Sequence, residues 1–544
     1  MADAQEVKLE RFLQWLQLNK VELRGSSIKY SGSNKGFGIF SSNDVCDVVL
    51  KISGILLVVP LDLIITPMRV LQDPLLGPHC RAMFEEEEVD DRFLIILFLM
   101  VERLRKNSSW KPYFDILPTE FGNTLWFSDD ELSELKGTTL YQATDLQRQK
   151  LQYLFHEKVK KLAEKLLTLD GCPESEVSFE DFLWANSIFW SRAQNIPLPH
   201  SYVFPKSSEG QEPVSDESAK KDTTVASKSG EDTVWVEGIV PGIDFCNHGV
   251  RATATWEVDA TGLTTGTPFS MYLLSVGEVP IHSGEEILIS YGNKGNEELL
   301  YLYGFVMEDN PDDYLMVHYP VGAIQGIAFA ESKSQLLEAQ KAELRCLLPR
   351  TLLKDGFFPP CMPRIENNDK CPSNSISAYS WSGQRKMPSY LNRLVFPEDF
   401  LTALRTIAMK DDELYKVTSL LTELVGPGGQ RQPSDAEVRA AIWEACGDSG
   451  ALQVLVDLLN MKMTELEEGS GREENDAELL RSARSIDNSV DYQSKCDNNG
   501  TKENKLLSRN RWCSIVYRHG QKQLTSLFLK EAEHALQLAL TEGN

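Results

Sequence analysis

Three short runs carry residue types able to bind and position a polar ligand. The first is Asp244-Phe245-Cys246-Asn247-His248. The second, Gly284-Glu285-Glu286-Ile287-Leu288-Ile289-Ser290-Tyr291-Gly292, is β-patterned and ends in Tyr-Gly; Tyr303-Gly304-Phe305 follows it. Asn247 presents a donor and an acceptor on one side chain. A guanidinium such as Arg192, in Ser191-Arg192-Ala193, suits a bidentate grip on a carboxylate. Each residue also has an ordinary reading. A tyrosine in a β run is commonly a buried ring with a satisfied hydroxyl. An Asn-His pair commonly marks a turn, Arg192 can be a helix-end surface residue, and Asp244 can cap its own turn. A metal role for His248 lacks nearby partner ligands.

These runs need elements to bring them together. Leu9, Phe12, Leu13 and Leu16 recur at helical spacing near residues 6–20. Short β-rich pieces follow at Ser27–Tyr30, Gly38–Phe40 and Ile52–Pro60. Gly36-Phe37-Gly38 permits close backbone approach but is not G-x-G-x-x-G, so a dinucleotide site is a poor reading. Helices are expected over Asp90–Lys106, from the capping box Ser128-Asp129-Asp130-Glu131, over Leu146–Leu169, and from Ser178-Phe179-Glu180-Asp181. Residues 206–233 are too polar to bury a core and read as a disordered insertion. Trp235–Tyr291 is β-rich again. Helices are expected over 332–347, 397–425, 434–463 and 507–541. They are interrupted by an irregular connector around Pro359-Pro360, Pro363 and Pro372 and by a polar loop over 467–504.

Composition narrows the class. A length of 544 residues allows two to four domains, and 42% apolar residues is ordinary for a globular protein. A net charge of −25 argues against unspecific binding to nucleic acid or anionic membranes and suits a basic substrate segment. The ten cysteines form no C-x-x-C pair, so they read as reduced, mostly buried thiols and not as zinc ligands. No apolar run reaches membrane-spanning length. Residues 1–10 carry acids and neither a basic start nor an apolar core, so no signal or transit peptide is expected. Cytoplasm is the expected location, with the nucleus as second choice. G-x-S-x-G, H-E-x-x-H and P-loop motifs are absent.

Taken in order, Gly36-Phe37-Gly38, Ser191-Arg192-Ala193, Val240 to His248, Gly284 to Gly292 and Tyr303-Gly304-Phe305 resemble the SET-domain protein methyltransferases of the Rubisco large-subunit methyltransferase type. Trp110-Lys111-Pro112-Tyr113, Ile116-Leu117-Pro118 and Leu125-Trp126-Phe127-Ser128 are similar to that family's helical insertion. The resemblance implies an α+β fold with a β-rich, pseudo-knotted SET core interrupted by a helical insertion and followed by an all-α C-terminal domain. The corresponding division is 1–84 and 234–310 for the core, 85–205 for the insertion, 206–233 for the linker and 311–544 for a substrate-binding-like domain.

The resemblance further implies S-adenosyl-L-methionine as cofactor, no metal, and transfer of a methyl group to a lysine of a non-histone protein; the oligomeric state is left open, with a monomer favoured. A histidine acceptor, or a catalytically inactive interaction protein, is the alternative. By resemblance Tyr291 and Tyr303 are the catalytic tyrosines. Lys35, Gly36, Phe37, Arg192, Asn247 and His248 face the cofactor, and Arg192, Gln194, Ile243 and Asp244 face the substrate. The family commonly has Glu where Lys35 stands and Asp where Leu302 stands. Gln194 and Ile243 match neither the lysine-directed pattern (apolar or aromatic plus small) nor the histidine-directed one (polar plus tryptophan).

Overall fold

Local chemistry sets the ends of the elements that carry the site. The computed structural model describes every residue except 1, 33–34, 45–53, 87–88, 172–175, 205–232, 277–279, 356–393, 426–430, 491–506 and 543–544. The expected insertion over 206–233 and the proline-rich connector therefore lie almost wholly or wholly outside the described residues. The chain divides into two compact units, residues 1–121 with 147–293, and residues 122–146 with 294–544.

In the first unit the strands are β1 (Glu22–Leu23), β2 (Ser26–Tyr30), β3 (Phe37–Ser41), β4 (Ile55–Pro60), β5 (Gln194–Pro199), β6 (Thr233–Gly238), β7 (Asn247–His248), β8 (Ala254–Asp259), β9 (Ser270–Ser275) and β10 (Glu286–Ile289). β4 reads Ile-Leu-Leu-Val-Val-Pro and is apolar without alternation because it is buried on both faces, between β1 and β9 in the sheet β1-β4-β9-β8. The second sheet has the order β2-β3-β10-β7, and β5 pairs with β6. β10 pairs antiparallel with β3, Ile287 opposite Ile39, and parallel with β7, Leu288 opposite Asn247 and Ile289 opposite His248. The two loop motifs and the strand leading to Tyr291 are thereby fastened side by side.

Helices support this sheet. The helix Asp91–Leu104 starts where the Asp90 carboxylate accepts the Phe93 N–H at 2.9 Å, and its apolar body is buried from Phe93 to Val101. The helix Phe179–Arg192 opens with a capping box between Ser178 and Asp181 and delivers Arg192 in its last turn. The N-terminal helix Ala2–Leu18 buries Phe12, Trp15 and Leu16. Phe12 lies 5.2 Å from Phe245 and 6.0 Å from Tyr113, ring centre to ring centre, so the turn that holds Asp244 is packed against an aromatic wall. The helix expected over 146–169 begins earlier, at Thr139, and passes through a π turn at Phe155–Val159 before Lys160–Leu169.

Among its described residues the second unit is mainly helical, with one strand pair, β11 (Tyr314–His318) and β12 (Arg345–Pro349). The helix expected over 332–347 stops at Ala339. Lys341 has a positive φ of 51°, and the following Arg-Cys-Leu-Leu-Pro alternates exposed and buried, the two-residue period of a strand. The core collects Phe396, Phe400, Leu404, Leu455, Leu524 and Phe528. The polar stretch expected to be a loop over 467–504 contains the helix Glu473–Val490. Asp476 on it is fully buried and accepts from Arg518 at 2.6 Å and Lys522 at 2.7 Å. The polar composition concealed an amphipathic helix, whose Leu480 packs into a hydrophobic cluster one turn beyond the buried carboxylate.

Tyr303 ends the π turn Leu299–Tyr303, and Gly304 follows with φ of 76°. Asn296 locks this turn, exchanging two 2.9 Å hydrogen bonds with the Met307 backbone. A Cβ on Gly304 would lie 2.5 Å from the Gly122 carbonyl carbon and 2.6 Å from the Asn123 nitrogen. Gly304→Ala therefore combines left-handed backbone strain with a backbone clash. The expected outcome is a loss of about 2–3 kcal/mol in urea unfolding.

Candidate functional site

Arg192, Asp244 and Tyr113 form a buried polar knot in the first unit. Arg192 Nη1 donates to Asp244 Oδ2 at 2.8 Å and to the Asp244 carbonyl at 3.0 Å. Tyr113 Oη donates to the same Oδ2 at 2.8 Å, and the Gly242 N–H donates to Oδ1 at 2.9 Å. The Asp244 side chain is wholly inaccessible, and that of Arg192 is 15% exposed. Burial works against the Arg192 charge, but the neighbouring carboxylate outweighs it and holds the guanidinium above its usual range. Arg192 also lies over the Phe245 ring, 4.8 Å from its centre, and Phe37 meets the same ring edge-on at 6.4 Å.

Tyr291 reaches back to the other motif. Its Oη donates to the Cys246 carbonyl at 2.8 Å, and its backbone N–H donates to His248 Nδ1 at 3.1 Å. The two rings sit 5.2 Å apart. Because Tyr291 gives its proton to a carbonyl, the phenol oxygen can only accept from any further partner. Burial raises the Cys246 thiol well above its usual range, so it is neutral and not a nucleophile.

Asn247 Nδ2 donates to Glu286 Oε1 at 2.7 Å, and Lys35 Nζ meets Glu286 Oε2 at 2.9 Å. Gly38 leaves the space for this arrangement: a Cβ there would lie 2.5 Å from Glu286 Oε1 and 3.1 Å from Asn247 Nδ2.

The structure thus brings together Lys35, Phe37, Arg192, Asp244, Asn247, His248 and Tyr291, all within the first unit. Gln194 opens β5 beyond Arg192, and its Oε1 is buried with no hydrogen-bond partner among the described residues. Ile243 is fully buried in the turn Ile243–Phe245. Tyr303 belongs to the second unit, where burial, helped by Glu298, pushes its hydroxyl up to about 12. Sequence reasoning gave no role to Tyr113 or Glu286. Tyr113 was visible only as part of Trp110-Lys111-Pro112-Tyr113. The one signal for Glu286 was the basic residue at 35 where the family has an acid. Among the described residues no group of three or more His, Cys, Asp and Glu could hold a metal, and no helix is long and apolar enough to cross a membrane. The five described cysteines are buried.

No protein-family model matches the chain. It is 29% identical over 306 residues to a Rubisco large-subunit N-methyltransferase of Pisum sativum, covering 55% of this chain and 51% of that protein. To the actin-histidine N-methyltransferase of Homo sapiens it is 24% identical over 346 residues, 61% of this chain and 46% of that one. The chain thus spans about half the length of these curated relatives. A crystal structure of the SET domain of LSMT, bound to lysine and AdoHcy, superimposes with a TM-score of 0.60 at 20% identity, over 98% of this chain and 92% of that one. The fold is that of the Rubisco large-subunit methyltransferase-like SET proteins, to which the chain is also related in sequence.

Proposed function

We propose that this protein is an S-adenosyl-L-methionine-dependent protein N-methyltransferase that modifies a lysine side chain of a non-histone protein. The observation that carries this reading is the Tyr291 hydroxyl bonded to the Cys246 carbonyl, one residue before Asn247. It joins the two motifs that the resemblance assigns to methyl transfer and to cofactor binding.

The residues present fit that cofactor. Asn247 and Glu286 offer donor and acceptor atoms to a zwitterionic amino-acid end, and Gly38, lacking a Cβ, leaves room for the two side chains to meet. When bound, the cofactor supplies an activated methyl carbon on a sulfonium. The protein's contribution is alignment. A lysine amine, ordinarily protonated with a pKa of about 10.4, must shed its proton before attacking. The Tyr291 oxygen can accept one of the remaining amine N–H groups and so direct the nitrogen lone pair. Asp244, buried with Arg192 and Tyr113, holds the turn that fixes the Cys246 carbonyl, and hence Tyr291, in place.

Two measurements test this reading. Isothermal titration with S-adenosylhomocysteine is expected to show binding, and absence of heat from folded protein refutes the proposal. Gly38→Ala forces the Glu286 carboxylate away from Asn247 by adding an atom in its place. Since the displaced group is the end of a flexible side chain, the fold survives. S-adenosylhomocysteine affinity is expected to fall about tenfold, the worth of one charge-assisted contact, in the same titration.

Histidine as acceptor is the second reading. It is favoured by Gln194, whose unpartnered amide oxygen could accept an imidazole N–H. Mass spectrometry of the modified residue separates the two readings.

A further inference from the structure

The sequence motifs give Glu286 no part in the site, yet its carboxylate is shared between two segments that they do single out. It lies on β10, opposite Phe40 on β3 and two residues before Leu288, which pairs with Asn247 on β7. Oε1 takes the Asn247 amide and Oε2 takes Lys35 Nζ. Its side chain is 13% exposed, whereas that of Lys35 is 55% exposed. The acid is therefore fixed inside the site and its counter-ion is a solvated surface group.

Lys35 stands where the resemblance sets an acid on the cofactor loop, so the loop itself supplies the wrong sign of charge for an ammonium. The acid is instead present across the sheet, within hydrogen-bond reach of that loop. Resting on the proposed function, we infer that Glu286 is the group that binds the α-ammonium of S-adenosylmethionine, in place of an acid at position 35. Asn247 Nδ2 is already engaged by Glu286, which leaves its Oδ1 to serve as a second acceptor for the same ammonium. Lys35 is the counter-ion that yields. An ion pair with so exposed a lysine is weak and readily exchanged for a better-placed cation. Arg192 is no rival for Glu286, because its own charge is matched by Asp244.

The test is isothermal titration of the full chain with two ligands: S-adenosylhomocysteine, and its analogue with a plain butanoate thioether chain lacking the amine. Glu286→Gln keeps the size of the side chain and an acceptor for Asn247. It is expected to weaken S-adenosylhomocysteine by about tenfold or more and the deaminated analogue by less than about twofold. Lys35→Met, which preserves the acid and removes its competitor, is expected to tighten S-adenosylhomocysteine by about two- to fivefold. The inference is overturned if Glu286→Gln weakens both ligands equally, as a purely structural link between β3 and β7 would, or weakens neither. It is also overturned if Lys35→Met loses affinity, because Lys35 would then be holding the ligand's carboxylate. Wild-type protein that binds neither ligand refutes the proposed function itself. Wild-type binding that Glu286→Gln leaves unchanged removes this inference alone.

Discussion

Tyr291→Phe is expected to lower the rate of methyl transfer about 10²- to 10³-fold while changing S-adenosylhomocysteine affinity by less than about threefold. The substitution removes one oxygen. The ring stays against His248, and the backbone N–H of residue 291 still donates to His248 Nδ1. What disappears is the bond to the Cys246 carbonyl and the acceptor that orients the incoming amine. Such a group acts on the reacting geometry and not on ground-state cofactor binding, so the loss belongs in kcat. Single-turnover transfer of labelled methyl, set beside the titration, separates the two. An affinity loss as large as the rate loss would mean that Tyr291 holds the cofactor and does not align the substrate.

Asp244→Ala is expected to destabilise the protein by about 3–5 kcal/mol, read by urea unfolding followed through tryptophan fluorescence. Asp244 receives bonds from Arg192, Tyr113 and Gly242 with no access to solvent. Removing it leaves a buried guanidinium without its counter-charge and a buried phenol without an acceptor, and both lose hydration without recompense. Asp244→Asn keeps the volume and an acceptor oxygen but not the charge, and its loss is expected to be about half as large. A change below about 1 kcal/mol in the alanine variant would show that water reaches the Arg192–Asp244 pair.

Local signals were readable in the sequence. Asp90 and the Ser178–Asp181 box mark helix starts through bonds spanning three residues, and both are present. β4 was legible as a β-rich piece ending at Pro60, although its start was placed three residues early. The helix carrying Asp476 was not, because it lies in a stretch whose overall polar composition masks its apolar face, and the buried ion pairs that fasten it have no local signature. β12 was hidden at the end of an apparently helical stretch. In the candidate site, Tyr291, Asn247 and Arg192 could be picked out only as members of an ordered motif set. The bonds that assemble them cross 45 residues from Tyr291 to Cys246, 39 from Glu286 to Asn247 and 251 from Lys35 to Glu286. One of these uses a backbone carbonyl, which no side-chain pattern can reveal, and the role of Glu286 depends on which strands flank β10.

The central claim is that Tyr291, Asn247 and their neighbours form one methyl-transfer site. The most direct measurement is incorporation of radiolabelled methyl from S-adenosylmethionine into the proteins of a cell lysate, with wild-type and Tyr291→Phe protein side by side. A labelled band with wild-type protein, absent with the variant and yielding methyl-lysine on hydrolysis, is the expected result. Equal labelling by both proteins, or none from wild-type protein that binds S-adenosylhomocysteine, would contradict it.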